Sequence, residues 1–290
     1  MNWDKALNTL IIMFLVMNCL LGAGNYAKNV KAYRVSEENI TNIKSILKDK
    51  GIVFECEVPR SFKPREALWI EPWEIDSKTR DELVKSVFGE NTGDMIISKQ
   101  ESKEPYEQPT LVYNKGAEAL SFQLNEVSYI NQNITKEEGA MKKEEALKIA
   151  DEFVKNFETK GKFKKVKIDY RIESYGALVT YYEVYNKLPI FDSYIRMEVT
   201  PKGIASAVIQ GANVIGKIGA AKSLIPIDKV LFDIEEHIDE RMPLTIENIQ
   251  LGYSMKNRSG MLFLEEEAIP MYKIDVKGLS ESIFVNAYTK

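Results

Sequence analysis

Residues 143–157, KEEALKIADEFVKNF, decide the fold when read with the three stretches that follow them: VKIDYRIE (166–173), VTYYEVY (179–185) and YIRMEVT (194–200). In the first, Ala146, Ile149, Ala150, Phe153, Val154 and Phe157 recur at intervals of three and four and form one apolar stripe, the period of a helix. The other three are short and rich in Val, Ile, Thr and Tyr, as strands are. Pro201-Lys202-Gly203 marks a turn, and 204–214 reads as a further strand. The pattern then restarts. Asp228 is expected to cap a helix bearing Val230, Leu231, Ile234 and Ile238, with strands at 246–254, 269–276 and 283–288. A helix followed by antiparallel strands, met twice, predicts an α+β fold with two helix-plus-sheet repeats, at 141–214 and 226–290.

Upstream, Ser36 is placed to cap a helix with Ile40, Ile43, Ile46 and Leu47, stopped by Gly51. Ile52, Phe54, Cys56 and Val58 then alternate with Glu55 and Glu57, the pattern of a half-buried strand. A second strand is expected at 67–73. A helix capped by Asp76 or Ser77 follows, carrying Leu83, Val84, Val87 and Phe88 and closed by Gly89. Strands at 95–98, 110–113 and 117–129 surround a polar loop at 99–109. The expected organisation is an N-terminal anchor at 1–27, a first α+β ectodomain at 36–131 and a second at 141–290. A polar linker holding Gly139 joins the last two.

Composition narrows the chemistry. The chain has 290 residues, 39 basic against 43 acidic, and a net charge of −4, without the basic excess of a nucleic-acid binder. Cys19 and Cys56 are the only cysteines, and His237 is the only histidine. They cannot build a disulfide framework, a four-thiolate zinc site or a His-paired metal site. No phosphate loop, His-Glu-x-x-His or Gly-x-Ser-x-Gly motif is present. The carboxylate run Glu265-Glu266-Glu267 lacks the further oxygen ligands of a cation loop and reads as solvated. Lys160, Lys162, Lys164, Lys165 and Lys167 read as a charged turn into a strand, and Trp69 and Trp73 as sheet packing. Catalytic, cofactor-binding and metal residues are therefore expected to be absent.

The stretch from Ala6 to Ala23 carries no charge. Its residues reach roughly 27 Å as a helix, close to a hydrocarbon core of about 30 Å. Trp3 and Tyr26 flank it at about 34 Å, a spacing that suits two interfacial belts. We read it as a retained single-pass anchor; the alternative is a signal peptide cleaved near Gly22, Ala23 and Gly24. Asn18 and Gly22 are the expected contacts with a partner helix, since an intramembrane amide seeks a hydrogen bond and a glycine lets backbones approach. Lys28, Lys31 and Arg34 follow the span, so the positive-inside count alone would put the large C-terminal part in the cytoplasm.

The opening Met1-Asn2-Trp3-Asp4-Lys5, leading straight into the apolar span, resembles the start of YycI proteins, with Asn2 where the family has Asp. Leu188-Pro189-Ile190-Phe191 is similar to that family's Pro-Ile-Phe segment. Leu251-Gly252-Tyr253, then Ile269-Pro270-Met271-Tyr272-Lys273-Ile274, then Phe284-Val285-Asn286-Ala287, resembles its C-terminal end, with Tyr272 where Trp is expected. The motifs occur in order along essentially the whole chain, and 36–131 carries least of the likeness. The resemblance implies a non-catalytic, cofactor-free regulator that associates with YycH and the sensor histidine kinase WalK (YycG) in Gram-positive bacteria and so affects cell-wall homeostasis. It also implies a cytoplasmic N-terminus, an extracytoplasmic ectodomain that overrides the positive-inside count, and PepSY-like repeats. The alternative is a secreted PepSY-type binding or protease-inhibiting module, released by signal-peptide cleavage.

Overall fold

A computed structural model describes residues 3–91, 93–100, 109–123, 125–158, 163, 165–234, 243–255, 266–279 and 281–289. In chain order the elements begin with α1 (Trp3–Ala32), α2 (Glu37–Asp49), β1 (Ile52–Phe54), β2 (Arg65–Pro72), α3 (Ser77–Phe88) and β3 (Ile96–Gln100). Next come β4 (Thr110–Lys115), β5 (Glu118–Gln123), β6 (Glu126–Asn131) and α4 (Lys143–Val154), which a 3-10 turn extends through Lys155–Phe157. Then follow β7 (Val166–Glu173), β8 (Gly176–Tyr185), β9 (Leu188–Thr200), β10 (Gly203–Gln210) and β11 (Ala212–Lys222). The last are α5 (Ile227–Phe232), β12 (Leu244–Met255), β13 (Glu266–Val276) and β14 (Ile283–Asn286). An apolar N-terminal helix thus precedes an α+β body.

That body divides into two compact units. One comprises Met1–Arg65, Ala220–Gln250 and Met271–Lys290; the other comprises Glu66–Gly219 and Leu251–Pro270. Both are assembled from separated stretches, whereas the sequence suggests consecutive bodies at 36–131 and 141–290. Strand pairing is the cause. β6 pairs with β10 from Ile130↔Ser206 to Glu126↔Gln210, so one sheet draws strands from both sides of the linker. Alternation tells a strand which face to bury, but not which strand will be its neighbour.

The larger unit is built on an antiparallel sheet in the order β7-β8-β9-β10-β6-β5-β4-β3. The apolar stripes of α3 and α4 close over it. Leu83, Phe88, Phe153 and Phe157 share a core with Leu120, Val127, Val179, Ile195, Met197 and Ile209. Each such side chain contributes about 1.5–3 kcal/mol by leaving water. The ring of Phe153 lies 5.0 Å from that of Tyr129 and 5.1 Å from that of Phe157. α3 starts where Asp76 accepts the Thr79 N–H at 2.7 Å and stops at Gly89, whose φ of 79° suits a residue without Cβ. The expected strand at 117–129 is two strands, β5 and β6. That at 204–214 is also two, parted at Gly211. A Cβ there would stand 2.8 Å from the Cβ of Trp73, whose N–H donates to the Gly211 carbonyl at 2.9 Å.

The smaller unit sets α2 beside β1 and α5. Ser36 accepts the Asn39 N–H at 3.1 Å, and Ile43 and Leu47 are buried. β1 runs parallel to the start of β12 (Ile52↔Leu244 to Phe54↔Ile246), and β14 pairs antiparallel with the end of β13. The ladder of β1 is shorter than expected, yet Ile52 and Val58 are both buried and Val53, Glu55 and Glu57 are exposed. Asp228 does not cap its helix. Pro226 occupies the N-cap with extended backbone, and Asp228 falls in the first turn, where an acidic charge suits the helix dipole. His237, Ile238, Glu265, Lys160, Lys162, Lys164 and most of the polar loop at 99–109 lie outside the described residues.

Candidate functional site

Helix α1 stands apart from the rest in its chemistry. Within Trp3–Lys28 an 18-residue stretch has a mean hydropathy of 2.0 and none of that stretch is buried, so by length and composition the helix can cross a membrane. Its thirty residues span about 45 Å. Trp3 and Tyr26 are 73% and 70% exposed. Asn18 and Gly22, four residues apart, share one face. Nothing lies within 4 Å of where a Cβ on Gly22 would be, which leaves the backbone open on that side. The Thr9 hydroxyl is satisfied within the helix, donating to the Lys5 carbonyl at 2.8 Å.

The two strand motifs singled out in the sequence, residues 188–191 and 251–253, meet in space. β9 and β12 run parallel there, with Ile190 opposite Tyr253. A Cβ on Gly252 would lie 2.6 Å from the Phe191 ring and 2.6 Å from the Pro189 carbonyl oxygen, so only glycine fits. Phe191 meets Tyr182 edge-on at 5.4 Å, and Tyr253 meets Tyr185 at 6.3 Å. Pro189 stands in the strand opposite Val184. Immediately after these apolar residues come Asp192 and Ser193, both buried. Asp192 accepts the Met255 N–H at 2.7 Å and the Ser254 hydroxyl at 3.4 Å. Ser193 donates to Glu183 at 2.5 Å and accepts the Ala212 N–H at 3.0 Å, while Glu183 also accepts the Phe163 N–H at 3.0 Å. The sequence reading did not single out these polar residues. Two consecutive polar residues inside the strand PIFDSYI were the available signal. Each is tied to one main-chain N–H and one side chain, Met255 and Ser254 for Asp192, Ala212 and Glu183 for Ser193, so they brace the sheet.

Other ionisable groups are likewise tied down. Burial, together with a hydrogen bond to Glu118, pushes the Tyr129 phenol well above its ordinary value; burial and Asp151 do the same to Tyr181. Burial pushes the Cys56 thiol up to about 11, against the lowering effect of Lys44, so at neutral pH it is not a thiolate nucleophile. Burial alone would raise the Asp275 carboxyl. The Lys273 ammonium at 2.9 Å, with hydrogen bonds from Ser282, Lys273 and Asn248, outweighs it and holds that carboxyl below the usual range. Among the described residues no group of three or more His, Cys, Asp and Glu could hold a metal ion. Glu266 and Glu267 sit in a ladder opposite Ile70 and Trp69; Trp73 is in the core, whereas Trp69 is 37% exposed, so the two tryptophans do not share one surface platform.

Comparison with known proteins adds to this geometry. The family described as YycI protein matches residues 30–288, beginning just after the apolar stretch. Among solved structures, the chain is similar to the crystal structure of an uncharacterized protein from Eubacterium rectale ATCC 33656, with 9% identity and a TM-score of 0.53 over 83% of this chain and 90% of that one. It is also similar to the Bacillus megaterium YpeB C-terminal domain, with 12% identity and a TM-score of 0.41 over 74% of this chain and 94% of that one. At such identities the first likeness is one of fold alone. No curated protein matches the chain.

Proposed function

The chain belongs to the YycI family, and from that premise we propose that it is a non-catalytic regulator, held in the cell membrane by α1, that acts on the sensor histidine kinase WalK (YycG) together with a YycH-like protein. The match over residues 30–288, adjoining a helix whose apolar stretch can cross a membrane and is exposed, is the observation that carries this reading. In it the N-terminus is cytoplasmic, the ectodomain extracytoplasmic, and the output cell-wall homeostasis.

The mechanism is stoichiometric contact. A regulator that binds two kinase states unequally shifts their ratio tenfold for a difference of about 1.4 kcal/mol. The face of α1 that could do this is marked by its polar residues. At 3.6 residues per turn, Asn8, Asn18, Gly22 and Asn25 fall within an arc of about 100°. Met13, Val16 and Leu20 lie on the opposite side, suited to lipid. An interhelical hydrogen bond from one such amide contributes about 0.6–2 kcal/mol.

A photo-crosslinking residue at position 18, in intact cells, tests the whole reading. Adducts with the kinase and a YycH-like protein are expected, and Asn18→Leu should reduce co-purification of both while the ectodomain stays folded. Retention of both partners at wild-type levels would remove Asn18 from the contact. A mature chain that begins after Gly24 and is found in the medium would replace the anchor with the secreted reading.

A further inference from the structure

The smaller unit carries a cluster of cations where α1 ends. Between Asp4 and Glu37 the sequence has no acidic residue, and it has none from Val58 to Arg65. These two stretches meet. Arg34 and Ser61 form an antiparallel bridge, closed by the Val35 N–H on the Arg60 carbonyl at 2.8 Å and the Phe62 N–H on the Tyr33 carbonyl at 3.0 Å. Side chains alternate along such a ladder, so Arg34, Ser61 and Lys63 share one face and Tyr33, Val35, Arg60 and Phe62 the other. Burial follows that division: the first three are exposed, Val35 is buried, and Tyr33, Arg60 and Phe62 are half-buried. The rings of Tyr33 and Phe62 meet edge-on at 6.1 Å. Arg60 is engaged on its own face, donating to the Val35 carbonyl at 3.0 Å and lying 3.4 Å from Glu37. Among the described residues no carboxylate pairs with Arg34 or Lys63, nor with Lys28 and Lys31, which are exposed in the last two turns of α1.

We propose that this face, with Lys28 and Lys31 beside it, binds the headgroups of anionic phospholipids and so seats the start of the ectodomain on the membrane surface. Height is the first argument. With Tyr26 at the interfacial belt, Lys28 stands about 3 Å and Lys31 about 7.5 Å further along the helix axis. Each headgroup layer is about 5–8 Å deep. The two lysines therefore fall among the phosphates, and the bridged face begins at their outer edge. Charge is the second argument. Cations without an acidic partner are drawn to an anionic surface, and the attraction reaches about 8–10 Å at physiological salt. Orientation is the third. In the reading proposed above, Lys28, Lys31 and Arg34 lie on the side that the positive-inside bias disfavours; anionic headgroups give them a counter-charge there. This inference rests on α1 being retained in the membrane, and not on contact with the kinase.

The test places a photo-crosslinking residue at position 61 of the full chain, reconstituted in vesicles of equal phosphatidylcholine and phosphatidylglycerol. Mass spectrometry should show phosphatidylglycerol adducts exceeding phosphatidylcholine adducts by about fivefold or more, the factor that one cation at an anionic surface supplies. Arg34→Gln/Lys63→Gln should remove most of that excess, as should about 0.5 M salt, and Arg34→Lys/Lys63→Arg should keep it. Equal adducts of the two lipids, no lipid adducts, or a ratio indifferent to the glutamine pair would overturn the proposal while α1 still resists carbonate extraction. Release of the chain by carbonate would remove the anchor and this proposal together. A soluble polyglycerol phosphate that takes over the crosslink at matched phosphate concentration would assign the face to a wall polymer instead.

Discussion

At Gly252 a hydrogen occupies the only space between the Phe191 ring and the Pro189 carbonyl oxygen. Gly252→Ala should therefore destabilise the larger unit by about 1–3 kcal/mol, the usual cost of forcing extra volume into a packed core. Gly216, whose Cβ position is open, serves as the control, and Gly216→Ala should leave thermal unfolding unchanged. Asp275 governs a different dependence. Its carboxyl is held below the ordinary value of 3.8 in the fold. The unfolded chain therefore binds the proton first. The stabilisation is complete above that ordinary value and is lost as pH falls through the folded one. Asp275→Asn should flatten this acid limb in pH-dependent denaturation. It should also cost about 3–5 kcal/mol at neutral pH, since the buried Lys273 ammonium loses its counter-charge. An acid limb unchanged by the substitution would mean that another carboxylate is responsible. Lys273 and Asp275, two apart in a strand, share a face by simple alternation. That much the sequence contained, but not that the face is buried.

Elements with chemical punctuation were the most legible. Ser36, Asp76 and Gly89 mark helix ends because capping is local: the donor and acceptor lie three residues apart. Asp76→Ala should accordingly cost about 1 kcal/mol by chemical denaturation, with the folded structure retained. Asp228 shows where the same logic fails. An acidic residue in the first turn of a helix looks like a cap unless Pro226 is recognised as the residue whose fixed φ already sets the entry. The strand boundaries missed at Gly211 and within 117–129 have a similar origin. An apolar run does not say where the chain must turn, and at Gly211 the turn is dictated by Trp73, far away in sequence. Of the candidate site, α1 and the segments around Pro189 and Gly252 could be read directly. Their meeting across β9 and β12 could not, because parallel pairing of residues as far apart as Ile190 and Tyr253 leaves no local trace.

For the molecule as a whole, interleaving makes its own prediction. The smaller unit depends on the C-terminus. Tyr272 donates its hydroxyl to the Ile225 carbonyl at 2.8 Å, and the Ile225 N–H donates to the Ala287 carbonyl at 2.7 Å. Leu224 bridges Tyr288, and the Lys277 N–H donates to the Thr245 carbonyl at 2.8 Å. Deleting Met271–Lys290 removes every one of these along with all of β14. Ile43, Leu47 and Ile52 should then lose their cover, although their own stretch of chain is untouched. The sheet of the larger unit, which takes no strand pairing from 271–290, should persist. Hydrogen exchange on the membrane-bound chain separates the two. Amides of α2 and β1 should lose protection in the truncated protein, while those of β5, β8 and β9 keep theirs. By the same reasoning, residues 36–131 expressed alone should not fold, because β1 lacks residues 244–246 and β6 lacks β10. Full protection of α2 after the truncation, or a folded 36–131 fragment, would show that the chain is organised in consecutive bodies after all.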